Sequence, residues 1–226
     1  MTGGFEPVAI DGRLSVRGQV IHALRAALIA GQMRPGQVYS APVLAARFGV
    51  SATPVREAML ELVKEGLVLT VPNKGFRVRE LSDRELDEIT GIRMLLEVPT
   101  TLRAAATATP ADLTRLRPMA DAVVEAAERK DLIAYVEHDR RFHLGLLSLA
   151  GNEELVTLVR ELRARSRLFG LQRLADSGEL GSSALEHVRM LELIEAGDVD
   201  ELEQLMRRHI GHVRGSWAGR DERRQS

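Results

Sequence analysis

The sequence predicts a mainly α fold in two parts: an N-terminal winged helix-turn-helix with a small β-hairpin, then an all-α bundle of six or seven helices. Three observations support this. Residues 40–79 (SAPVLAARFGVSATPVREAMLELVKEGLVLTVPNKGFRVR) break into helix, turn, helix and hairpin, the outline of a DNA-reading unit. Beyond Leu81 the apolar residues recur at helical spacing, with no convincing strand up to Arg214. Charge is also divided: residues 1–79 hold ten Lys and Arg against five Asp and Glu, whereas residues 80–226 hold 21 against 27. A basic part joined to an acidic part fits one polyanion-binding domain and one with another task.

The elements follow in order. Residues 1–14 read as a flexible lead, and residues 15–79 as the winged domain. Val20, Ala23, Leu24, Ala27 and Leu28 form the apolar stripe of a helix over Val16 to Ala30, stopped by Gly31. Pro35-Gly36 is a turn, and Val38-Tyr39 a short strand positioned to pair with the wing. Ala41 to Arg47 is the first helix of the motif. Gly49 relieves strain where the chain leaves it. Ser51 is placed to cap the next helix, and Pro54 falls in its first turn, where a missing amide costs nothing. Val55, Met59, Leu62 and Val63 share one face, with Leu44 and Phe48 to pack against. That leaves Ala52, Thr53 and Arg56 at the N-terminal end, the end a recognition helix turns into a major groove. Leu67–Val71 and Gly75–Val78 flank Pro72-Asn73-Lys74 as a hairpin. Its basic tip is either a phosphate or minor-groove contact or an ordinary solvated turn.

Residues 80–214 read as the helical domain. Ser82 to Glu85 has capping-box spacing, and Thr109-Pro110-Ala111-Asp112 starts a helix by the same logic. Lys130-Asp131, Gly151-Asn152, Ser177 to Ser182 and Gly197-Asp198 mark further ends or starts. Residues 215–226 read as a disordered tail from which Trp217 can tuck against the bundle. The chain has no cysteine, which excludes disulfides, thiolate metal sites and cysteine nucleophiles. No apolar run approaches the ~20 residues that span a bilayer, and the N-terminus has no basic region followed by a hydrophobic one. A soluble cytoplasmic protein without a membrane partner is the expectation.

Chemistry concentrates in the second part. Asp139 and His143, four residues apart in a helical window, project from one face about 6 Å apart along the axis. His187 and His209 lie on the last two helices, which Gly197-Asp198 folds into a hairpin. One carboxylate and three imidazoles either hold zinc or another divalent first-row ion, with positions left for water or ligand, or are a surface ion pair and satisfied half-buried histidines. His22, His138 and His212 are assigned to the second class, the latter two as pointing away from these faces. Arg93, beside Leu96 and Glu97 on the first bundle helix, is either a solvated charge or the partner of an anion inside.

Gly49 to Ala58, then Glu65 to Val68 and Asn73-Lys74-Gly75, resemble the winged helix-turn-helix of GntR-family transcription regulators. Arg93 to Glu97, Asp139 to His143, Gly151-Asn152, Glu186-His187 and His209 resemble the FCD effector domain of the FadR subfamily. The match covers roughly residues 15–214, and the order and spacing of its motifs are more specific than any one of them. The resemblance implies a homodimer reading a pseudo-palindromic operator in double-stranded DNA, most simply as a repressor. Each helical domain would hold a small carboxylate effector on a divalent ion, zinc first, with nickel or manganese as alternatives. Carried over, the metal ligands are Asp139, His143, His187 and His209. Arg93 matches an arginine facing the effector's carboxylate, and Asn152 is either part of that pocket or a helix cap. The DNA-contacting set is Ser40, Ser51, Ala52, Thr53, Arg56, Asn73, Lys74 and Gly75, with Thr53 and Arg56 reading bases and Lys74 and Ser40 positioning the backbone. Two positions depart from the pattern. Ala52 stands where the family commonly has arginine, and Pro42 where a polar or charged residue is frequent. Two other functions compete: a metal-dependent enzyme fused to a DNA-targeting module, in which the ion activates water, and an architectural DNA binder. No general base is identifiable for the first. The acidic second part argues against the second.

Overall fold

The structure is a computed structural model that describes residues 15–29, 31–167, 171, 175 and 178–212. The flexible lead, the disordered tail and Trp217 therefore lie outside the described residues. The chain divides into two units, Met1–Leu81 and Ser82–Ser226.

The first unit runs α1 (Val16–Ile29), β1 (Val38–Tyr39), α2 (Ala41–Phe48), α3 (Ala52–Lys64), β2 (Val68–Val71) and β3 (Gly75–Val78). Leu24, Leu44, Val55, Met59 and Leu62 are buried to 1% exposure or less and weld the three helices together by removing apolar area from water. Arg17 pairs with Glu61 at 3.1 Å and Arg25 with Glu65, so α1 is also tied to α3 by charge. Ser40 caps α2 through Val43 N–H, and Gly49 closes it in the left-handed region at φ 66°. Ser51 departs from expectation: its backbone is that of an N-cap, but its hydroxyl makes no capping bond to α3.

The three strands are antiparallel in the order β1-β3-β2, with Tyr39 opposite Phe76 and Val71 opposite Gly75. Lys74 N–H closes the wing turn onto Val71 C=O. Asn73 supplies the positive φ, 59°, that the turn after Pro72 needs. Gly75 is required on two counts. Its φ is 127°, and a Cβ there would lie 2.4 Å from the Tyr39 carbonyl oxygen, so only glycine lets β1 approach.

The second unit comprises α4 (Asp83–Thr107), α5 (Pro110–Glu128), α6 (Leu132–Ser148), α7 (Glu153–Arg167), α8 (Leu180–Ala196) and α9 (Val199–Gly211). Among its described residues there is no strand. Complete capping boxes start α4 (Ser82 with Glu85) and α5 (Thr109 with Asp112), while Asp131 and Asp198 cap α6 and α9. Each satisfies first-turn N–H groups that the helix cannot. The core is built from Val98, Leu116, Phe142, Leu146, Met190, Leu205 and Met206 with their neighbours. On α4 the buried stripe is different, because Thr90, Arg93, Glu97 and Thr101 turn inward at spacings of three and four. A polar stripe facing an apolar core costs stability unless it is paired or serves a site.

Candidate metal centre

The second unit gathers its polar chemistry in one place. Every buried Asp, Glu, Arg or His among the described residues (Arg93, Glu97, Asp139, His143, Arg163, His187 and His209) belongs to one connected cluster. Asp139 and His143 come from successive turns of α6, His187 from α8 and His209 from α9. Phe142 walls the group, edge-on to His143 at 5.2 Å and to His187 at 5.0 Å between ring centroids. One helical turn earlier, Tyr135 and Ser183 hydrogen-bond at 3.2 Å and tie α6 to α8 beside the site.

Four donor atoms converge within 4.8 Å of one another. His143 Nε2 lies 3.1 Å from His187 Nε2 and 3.0 Å from His209 Nε2, and Asp139 Oδ1 lies 3.0 Å from His187 Nε2 and 3.6 Å from His143 Nε2. Two ligands each about 2.1 Å from one ion, at angles between octahedral and tetrahedral, stand roughly 3.0–3.4 Å apart, so the spacing suits a first-row divalent ion.

The protons make the stronger case. His187 Nδ1 faces the Ala184 carbonyl at 2.9 Å and His209 Nδ1 faces Glu186 Oε2 at 2.7 Å. Both partners accept, so both Nδ1 atoms donate, and a neutral imidazole held in this way turns a bare Nε2 lone pair inward, the form in which it ligates a metal. In that form two Nε2 lone pairs and a carboxylate oxygen face one another. An acceptor-rich centre oriented from outside in this way is what a cation requires. Asp139, His143, His187 and His209 therefore fit the metal role.

Around this shell lies an ion-pair chain. Arg163 on α7 donates through Nη1 to Asp139 Oδ2 (3.2 Å) and through Nε (2.9 Å) and Nη2 to Glu97 Oε2. Glu97 Oε1 takes Arg93 Nε at 2.6 Å. Burial alone would raise the Glu97 carboxyl, but the Arg163 and Arg93 guanidiniums hold it below its ordinary value. Arg93 is fully buried, not a solvated charge. Its Nη1 reaches Ser166 Oγ at 3.5 Å, while among the described residues its Nη2 has no hydrogen-bond partner, nor do the buried hydroxyls of Thr90 and Thr101.

Three readings from the sequence change. Asn152 is exposed and its Oδ1 accepts from Leu155 N–H at 3.0 Å; of its two readings it takes the helix cap, and it is no part of the buried cluster. His212 does not point away, since its Nδ1 lies 3.5 Å from the Glu186 carboxylate that also holds His209. Arg163 and Glu186 were missed as site residues. Arg163 carried a signal: it stands four residues after Val159 and seven after Val156, both buried, on the apolar stripe of α7. His138 is half-buried and His22 exposed, as ordinary histidines.

In the first unit Ser51, Thr53 and Arg56 are exposed at the start of α3, and Asn73 and Lys74 at the wing tip, with Ala52 half-buried and Pro42 exposed. Among the described residues Arg56 and Lys74 pair with no carboxylate, whereas Glu61 and Glu65 are occupied by α1.

Two family models match the chain: "Bacterial regulatory proteins, gntR family" over residues 16–78 and "FCD domain" over residues 88–212. HTH-type transcriptional regulator McbR of Escherichia coli (strain K12) is 32% identical over 152 residues, 67% of this chain and 69% of that protein. Its solved structure superposes with a TM-score of 0.67 at 28% identity, covering 88% and 95% of the two chains. The Nta operon transcriptional regulator of Aminobacter aminovorans is 32% identical over 179 residues, 78% of this chain and 82% of that one. HTH-type transcriptional repressor RspR of Escherichia coli (strain K12) is 26% identical over 201 residues, 88% and 87% of the two chains.

Proposed function

Because the chain belongs to the gntR family of bacterial regulatory proteins and carries an FCD domain, we propose that it is a transcription regulator whose operator affinity is set by a small carboxylate bound at a divalent ion in the helical unit. The family and the relatives are transcription regulators, not enzymes, which removes the metalloenzyme alternative.

The observation that carries the effector half is the inward convergence of two Nδ1-committed imidazoles, a third imidazole and Asp139 Oδ1. Asp139, His143, His187 and His209 would hold the ion, zinc first, and its chemistry there is Lewis-acid attraction for an anionic oxygen. Arg93 supports the choice of a carboxylate, since its Nη2, without a partner among the described residues, is a buried donor for charge-assisted pairing. In the winged unit Thr53 and Arg56 read base edges, while Ser40, Ser51, Asn73 and Lys74 position the phosphates. Ala52 offers a methyl group where the family pattern has a guanidinium; Gly75 shapes the wing and stays in the DNA-contacting set. The protein acts as a homodimer on a pseudo-palindromic operator and, like the relative named as a repressor, holds transcription down until the effector binds. The effector can act only through a difference in its affinity for the two DNA-binding states.

The test is a salt titration of the purified protein on its own upstream DNA and on scrambled DNA, with the metal present, chelated and restored, and with a panel of small carboxylic acids. Selective binding that one acid relieves, and only with metal present, is the expected result. Equal affinity for both DNAs, or relief unaffected by chelation, would refute it.

A further inference from the structure

The buried cluster contains more than ligands, and its charge has a consequence for what can bind. Arg93 and Arg163 face Glu97 and Asp139, so two cations balance two carboxylates and the set is neutral with neutral imidazoles. Seating a divalent cation on Asp139, His143, His187 and His209 leaves that interior positive by two. Glu186, 18% exposed, meets His209 from the rim and offsets only part of this. Meanwhile the acceptors are used up. Both Glu97 oxygens are held by arginine and Asp139 Oδ2 by Arg163, whereas Arg93 Nη2, Thr90 Oγ1 and Thr101 Oγ1 are without partners among the described residues. Excess positive charge and leftover buried donors both call for an anion. Buried uncompensated charge is disfavoured strongly enough for this to govern binding.

We infer that Arg163 makes cation binding at this centre conditional on an anion: its charge behind Asp139 weakens the hold on a divalent ion until an anion joins, and Glu97 moderates the effect. The inference rests on the ion-binding reading above and adds how the site is regulated. Cation and anion then bind as a linked pair, each tightening the other by the same factor. A resident cation and its effector thus respond as one signal, and cation without anion is held weakly. Arg163 is well placed for this, being 1% exposed and within 3.2 Å of a ligand carboxylate. An ion held on the far side of the Asp139 carboxylate stands on the order of 6 Å from the guanidinium, and at that separation, even at an effective dielectric of about 20, a unit charge acting on a divalent ion shifts a binding constant more than tenfold.

The experiment uses the full-length protein and its charge ladder, with zinc affinity measured by chelator competition at buffered free zinc, in acetate or in equimolar neutral acetamide. Wild type is expected to bind zinc about fivefold or more tightly in acetate than in acetamide. In acetamide, Arg163→Gln should bind zinc more tightly than wild type and show little acetate gain. Glu97→Gln should bind more weakly and show a larger gain. The double variant R163Q/E97Q, which restores the charge count, should return towards wild type, and Arg163→Lys, which keeps the charge with fewer hydrogen bonds, should keep the acetate dependence. Helical circular dichroism checks folding, and E97Q carries the opposite sign if R163Q does not fold. Equal zinc affinity in acetate and acetamide overturns the inference while leaving the metal site standing. Weakening of zinc in every variant by a similar factor, with the acetate gain unchanged, overturns it too, as Arg163 would then only hold geometry. Absence of zinc binding by wild type in both media refutes the metal reading itself, and the inference with it.

Discussion

A neutral imidazole that donates its Nδ1–H to an outside acceptor has only a lone pair to offer inside, and the Ala184 carbonyl gives His187 such an acceptor. His187→Ala removes one of four converging donors without touching the other helices' ligands. Metal content by elemental analysis is expected to fall sharply while helical circular dichroism is retained, and unchanged stoichiometry would remove His187 from the site. Glu97 supplies a pH signature. Its carboxyl is buried, yet lowered by Arg163 and Arg93, so its contribution to stability is full above the unfolded carboxylate value, about 4.3, and is lost as pH falls through the lower folded value. Urea midpoints measured on acidification should therefore decline less steeply for Glu97→Gln than for wild type.

At the scale of elements, the wing and the helix starts depend on a few residues with no substitute. Gly75→Ala would place a methyl group 2.4 Å from the Tyr39 carbonyl at a φ of 127°, a backbone region that costs a side chain ~1–3 kcal/mol before any clash. The expected outcome is a lowered unfolding midpoint for the winged unit together with weaker DNA binding. Asn152→Ala removes the cap on α7 and should cost about 1 kcal/mol of stability. Zinc affinity, read by chelator competition, should not change, because Asn152 lies outside the buried cluster. On α3, Arg56→Ala should cost about 1–3 kcal/mol in discrimination between operator and scrambled DNA if the guanidinium reads a base. A loss uniform across sequences would identify a phosphate contact instead.

At the scale of the whole molecule, two units mean two cores, and unfolding need not be a single transition. All four proposed ligands lie in the second unit. An ion present at 100 times its dissociation constant adds about 2.7 kcal/mol to the fold that binds it. Calorimetry of the full chain with and without chelator should therefore shift one transition downward and leave the other in place. A shift of both would mean that the units melt together. No helix among the described residues is long and apolar enough to cross a membrane, in line with the absence of any long apolar run in the sequence.

Local rules are written in the sequence because they act over three or four residues. Ser82 with Glu85, Thr109 with Asp112 and the Pro72-Asn73-Lys74 turn could each be read directly, and so could the apolar stripe of α3, since caps, turn dihedrals and amphipathic spacing need no distant partner. The same spacing put Asp139 and His143 on one face of α6. What it could not supply was depth or proton direction. Whether Arg93 was solvated or buried, whether Asn152 capped a helix or lined a pocket, and that His212 shares Glu186 with His209 depended on how helices far apart in the chain pack. Arg163 shows the division most clearly. Its place on the apolar stripe of α7 was visible, but its bond to Asp139 on α6 and its bracket on Glu97 of α4 exist only once three helices have met. The elements, their order and the residue types available for chemistry follow from local patterns along the chain. The tertiary structure alone decided which lone pairs face one another and how the buried charges balance, because both depend on distances between segments that no local periodicity encodes.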